Sequence, residues 1–74
     1  MCNVKLVEPS IGRIVKLEVT EQNDCVAKMY MDQLTTYAEA LEQYGAQWTV
    51  KGKTIEIVFA DGNMAENVRQ TWRK

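Results

Sequence analysis

The sequence predicts a small α/β (α+β) domain: a two-layer sandwich whose four-stranded, mainly antiparallel sheet carries two helices on one face, in the order ββαββα. Three observations predict it. Residues 3–20 and 46–60 each alternate apolar and polar side chains around a turn, which is the pattern of a hairpin with one buried face. Residues 24–44 repeat apolar positions at steps of three and four, and Asn63 with Glu66 three residues on forms a capping box ahead of a second amphipathic run. Two hairpins joined through a long helix bury most when one sheet is covered by both helices on the same side.

In the first hairpin Val4 and Leu6 share a face, Pro9-Ser10-Ile11-Gly12 supplies turn residues, and residues 13–20 alternate through Val15, Leu17 and Val19. A four-residue loop sets Glu8 against Arg13, Leu6 against Val15 and Val4 against Leu17. That register also sets Lys5 against Lys16, an unfavourable pair that keeps open the alternative of a first strand pairing elsewhere.

The long helix is read from Val26, Tyr30, Leu34, Tyr37, Leu41 and Tyr44, with Ala27, Met31 and Ala38 widening the stripe. Asn23 or Asp24 caps its start, Gly45 ends it in a left-handed conformation, and its length is about 31 Å. Lys28, Asp32, Gln33, Thr35, Thr36, Glu39, Glu42 and Gln43 fall on its outer side.

A two-residue Lys51-Gly52 turn closes the second hairpin, pairing Val50 with Lys53, Thr49 with Thr54 and Trp48 with Ile55. Trp48, Ile55, Ile57 and Phe59 then line one face. Asp61-Gly62 breaks the strand, and the final helix is expected to bury Met64, Ala65, Val68 and Trp72. Arg69, Arg73 and Lys74 stand near its C-terminus, where the helix dipole favours cations.

Residues 1–74 read as a single domain, one that buries only about 60% of the surface its unfolded chain exposes. Apolar residues make up 46% and charged residues 26%, a composition that supports a core and argues against disorder. The formal charge of -1 lacks the basic excess of dedicated polyanion binders. No apolar run approaches the roughly 20 residues of a membrane span, and the first residues carry charges where a signal peptide needs an apolar core, so a cytoplasmic protein is expected. In that compartment Cys2 and Cys25 are expected to be reduced thiols.

Histidine is absent, which removes the commonest general base, the usual Ser and Cys triads and the commonest metal ligand. Asp32, Glu39, Glu42, Glu56, Asp61 and Glu66 are scattered over predicted outer faces and loop ends, with no cleft to separate the pKa values of a catalytic pair. Cys25 falls in the first turn of the long helix, where the dipole favours a thiolate; with no proton relay and Asp24 beside it, a structural, buried cysteine is the expectation. Asp61-Gly62-Asn63 lacks the remaining ligands of a calcium loop, and isolated glycines form no phosphate cradle. No catalytic residue, metal or cofactor is expected.

What remains is binding. The leading expectation is a small non-enzymatic regulator or inhibitor of another protein, a size class common among phage and mobile-element inhibitors of host machinery. Its candidate residues are Asp32, Glu39 and Glu42 on the outer face of the long helix and Tyr37 and Tyr44 on its edge, where aromatic side chains suit an interface. The alternative is a nucleic-acid-binding module in which Trp48 stacks on bases while Lys51, Lys53, Arg69, Arg73 and Lys74 track phosphates. A homodimer through an open sheet edge, near Asn3 or near Phe59, is compatible with either.

Without the first strand, the order strand, long helix, hairpin, helix resembles that of DinI-like modulators of the RecA recombinase, and Val68-Arg69-Gln70-Thr71-Trp72 is loosely similar to the family's ending. The likeness covers element order and little else. In that family the last helix is acidic and carries the interaction; here it ends in Arg69, Arg73 and Lys74, so no site is carried over.

Overall fold

The alternating segments become strands and the helical periods become helices. The computed structural model describes residues 3–7 and 10–72 of the chain. Its elements are β1 (Val4–Leu6), β2 (Ile14–Val19), α1 (Asp24–Leu41), a 3-10 turn (Glu42–Tyr44), β3 (Gln47–Lys51), β4 (Thr54–Val58) and α2 (Gly62–Trp72). The sheet order is β1-β2-β4-β3, with every neighbouring pair antiparallel. The connection from β2 through α1 to β3 therefore crosses over β4, which fills the place between two strands that run the same way.

Val15, Leu17, Val19, Ile55, Ile57 and Phe59 are almost completely buried on one face of the sheet. Against them lie Ala27, Leu34, Ala38 and Leu41 of α1 and Ala65 and Val68 of α2, in one continuous core. Each large side chain so buried stabilises the fold by about 2 kcal/mol. The opposite face has no helix over it. There Lys5 and Glu18 meet across β1 and β2 at 3.5 Å, and Lys16 and Glu56 across β2 and β4 at 3.8 Å. The molecule measures 34 × 24 × 17 Å, the short dimension being one sheet and one helix layer.

Both hairpins keep the expected faces but shift register by two residues. In the first, Leu6 pairs with Leu17 and Val4 with Val19, in place of Val15 and Leu17. Lys5 consequently faces Glu18, and the expected Lys5 to Lys16 repulsion disappears. The loop is longer than four residues because Ser10, 2% exposed, is built into it: its hydroxyl donates to Val7 O at 2.6 Å and accepts from Lys16 N-H at 3.3 Å. The expected Glu8 to Arg13 pair, Pro9, and Cys2 as a first-strand residue lie outside the described residues. Among the described residues, Ile14 and Val15 pair with β4.

In the second hairpin the turn residues are Gly52 and Lys53, with Lys51 paired to Thr54 and Trp48 to Ile57. Gly52 has φ +59 and Lys53 a negative φ, the pattern of a type II′ turn with glycine at the first central position. The expected turn had placed Gly52 second.

Asn23 caps α1, its side chain accepting from Val26 N-H at 3.1 Å. Gly45 ends the helical run at φ +89, donating to Glu42 O; a Cβ there would lie 3.1 Å from Ala60 Cβ, so both backbone and space demand glycine. The expected capping box of α2 does not form. Asp61 caps the helix instead, its carboxylate accepting from Asn63 N-H at 2.9 Å, while Glu66 bonds to Arg69 and Gln70. Among the described residues no helix is long and apolar enough to cross a membrane.

Candidate protein interface

Helical spacing puts Asp32, Thr35, Glu39 and Glu42 in one row, and neighbouring contacts show that this row overlooks β3. Asp32 and Thr35 line an open groove of about 360 Å³ whose apolar floor is Ala27, Met31 and Val50. At the other end of the row Glu42 accepts a hydrogen bond from Trp48 Nε1 at 2.6 Å. Asp32, Glu39 and Glu42 are all exposed. From Asp24 to Tyr44 the sequence holds four acids and one lysine, Lys28, so this flank is negative on a molecule close to neutral.

β3 is an edge of the sheet. Val19 N-H donates to Lys53 O and Phe59 N-H to Arg13 O, which turns the odd-numbered peptide groups of β4 toward β2 and the even-numbered ones toward β3. The β3 partners in that ladder are Lys51, Thr49 and Gln47. The peptide groups of Trp48 and Val50 therefore point away from the sheet, alongside the groove. The strand near Phe59, expected to be an edge, is β4 and lies inside the sheet; the edges are β1 and β3.

The tyrosines part company with the acids. Tyr37 is half-buried on the opposite flank of α1, where it lines a small recess with Val4, Tyr30, Leu34 and Trp72. Burial raises its phenol above the usual range, opposed by the Trp72 indole N-H. The approach stops short of a formed bond, leaving Trp72 Nε1 buried without a partner among the described residues. Tyr44, in the 3-10 turn, is 58% exposed. The expected aromatic edge of Tyr37 and Tyr44 is thus split: Tyr37, like Tyr30, is packed on the core, and Tyr44 faces solvent.

The basic residues do not gather. Arg69 is 6% exposed, its guanidinium held by Gly12 O at 2.8 Å, Ile14 O at 3.1 Å and the Glu66 carboxylate at 2.6 Å. It fastens the turn between β1 and β2 and cannot reach a phosphate. Lys53 donates to Glu21 O and lies 3.7 Å from Asp24. Trp48 and Lys51 project from opposite faces of the sheet, since they differ by an odd number of residues along one strand. Arg73 and Lys74 lie outside the described residues.

Cys25 is exposed in the first turn of α1, contrary to the expected buried position, because Val26 and Ala27 take the inward side. Among the described residues no three His, Cys, Asp or Glu side chains group closely enough to hold a metal ion. Compared with protein-family models, curated proteins and solved structures, the chain matches none.

Proposed function

We propose that this chain is a non-enzymatic regulator or inhibitor that acts by binding another protein through the α1 flank bearing Asp32, Glu39 and Glu42. The observation that carries the reading is the alignment of these acids. Asp32 and Glu39 stand on one exposed side of α1, whose other side is spent on the core, Glu42 continues the row into the 3-10 turn, and none is paired with a cation across the fold in the contacts observed. A negative strip of this kind steers a basic partner and sets its orientation. Tyr44, in the 3-10 turn after α1, adds exposed aromatic surface beyond the row; Tyr37, facing α2, does not contribute.

The test is affinity capture from nuclease-treated lysate by the full chain and by an Asp32→Lys/Glu39→Lys/Glu42→Lys variant. The expected outcome is a stoichiometric protein partner, weakened by salt and lost with the variant, whose circular dichroism stays that of the wild type. A partner retained equally by the folded variant would make the strip ordinary solvated surface. Recovery of nucleic acid alone from untreated lysate would replace the reading with the nucleic-acid alternative.

A further inference from the structure

The geometry points to strand addition as the mode of binding: β3 accepts an extended, basic segment of another protein as a fifth strand, its side chains entering the groove between β3 and α1. This rests on the protein-binding reading above and specifies the partner's chemistry.

The backbone supplies the first part of the argument. Trp48 and Val50 offer N-H and C=O groups that no strand of the sheet uses, and an added strand about 4.8 Å away satisfies them. Among the described residues β1, the other edge, has three residues against five in β3. An incoming strand alternates its side chains, so every second one turns to the helix side. There it meets the apolar floor formed by Ala27, Met31 and the 42% exposed Val50, with Thr35 and Asp32 above; Lys28 and the paired Asp24 and Lys53 line the groove as well, so the acidic excess lies in the row that continues through Glu39 to Glu42. The floor takes an aliphatic side chain.

Charge then chooses between occupants. The row from Asp32 to Glu42 runs about 15 Å along α1, nearly the length of a five-residue strand. A second copy of this chain pairing β3 to β3 across a two-fold axis would bring two such rows side by side, acid against acid, with Lys28 the single cation of each helix to offset them. An extended segment with Lys or Arg on the helix side meets the same row favourably. The occupant is therefore a basic, aliphatic-containing strand of a different protein.

The experiment is selection of displayed random linear peptides against the full chain, followed by titration of a synthetic enriched peptide into isotopically labelled protein. Enriched peptides should alternate Lys or Arg with Val, Ile or Leu, and the titration should move the Trp48 and Val50 amides most. Val50→Pro removes an outward N-H without touching the β4 ladder, and should weaken the peptide about tenfold or more while the spectrum stays folded. Asp32→Lys/Glu39→Lys should weaken it about tenfold at low salt and less at high salt. Absence of any enriched peptide, enrichment without basic residues, affinity unchanged by Val50→Pro, or a peptide-free dimer dispersed by Val50→Pro would each overturn strand addition. A cellular partner lost with the triple acid reversal but indifferent to Val50→Pro would refute this mode while leaving the protein-binding reading in place.

Discussion

Arg69 shows how a single side chain can be assigned to the wrong task. Its charge and its place near a helix C-terminus suggest a solvated cation, yet it is buried and fastens two backbone carbonyls of a distant turn. Removing it leaves Gly12 O and Ile14 O without their donor, so Arg69→Ala should lower stability by about 3 kcal/mol, read as a lower urea midpoint at neutral pH. Arg69→Lys should recover only part of this, because one ammonium cannot hold both carbonyls and Glu66 in a fork. A loss below about 1 kcal/mol for Arg69→Ala would mean that the turn holds itself. The signal was present in the spacing: Ala65, Val68, Arg69 and Trp72 fall at i, i+3, i+4 and i+7, the inward stripe of α2. Ser10 left no such trace. Its burial depends on where a loop closes over a strand, and Pro9-Ser10-Ile11-Gly12 reads locally as any polar turn.

At the scale of elements, what is local was legible and what is relative was not. Which side chains of β2 or β4 face inward follows from a period of two, and that survives a two-residue slip, so the inward faces expected for these strands are found, whereas Tyr44, expected on the inward stripe of the long helix, is exposed. The slip itself depends on which residues occupy the turn, and Lys51-Gly52-Lys53 admits glycine at either central position. The same division applies to the interface. The outer row of α1 can be read from the helical period, but its neighbour across the groove depends on β4 entering between β2 and β3, which no local pattern states. The ladder now makes adjacent residues of β3 unequal. Thr49 N-H belongs to β4, and Val50 N-H points to solvent. Thr49→Pro should therefore cost about 2 kcal/mol more than Val50→Pro in chemical denaturation, although both put proline in the same strand. Equal losses would show that β3 is joined to β4 in the other hydrogen-bonding phase.

Across the whole molecule, both helices are fastened chiefly to the sheet, and they meet each other at the seam formed by Tyr37 of α1 and Trp72 of α2. That seam is imperfect: the indole N-H has no partner among the described residues, and the phenol sits half-buried beside a recess of about 170 Å³. Burial holds the Tyr37 proton more tightly in the folded protein than in the unfolded chain. Below the ordinary phenol value of about 10 both states keep the proton and stability is unaffected by it. Above that value the unfolded chain releases its proton first, so unfolding becomes easier as pH rises through the folded pKa. Stability should accordingly fall more steeply above pH about 10 in the wild type than in Tyr37→Phe. Ultraviolet titration of the phenolates should show a late step that Tyr37→Phe abolishes. If the variant and the wild type lose stability in parallel, the seam is open enough for water to carry the charge. α2 then depends for its place chiefly on Ala65, Val68 and the Arg69 clamp.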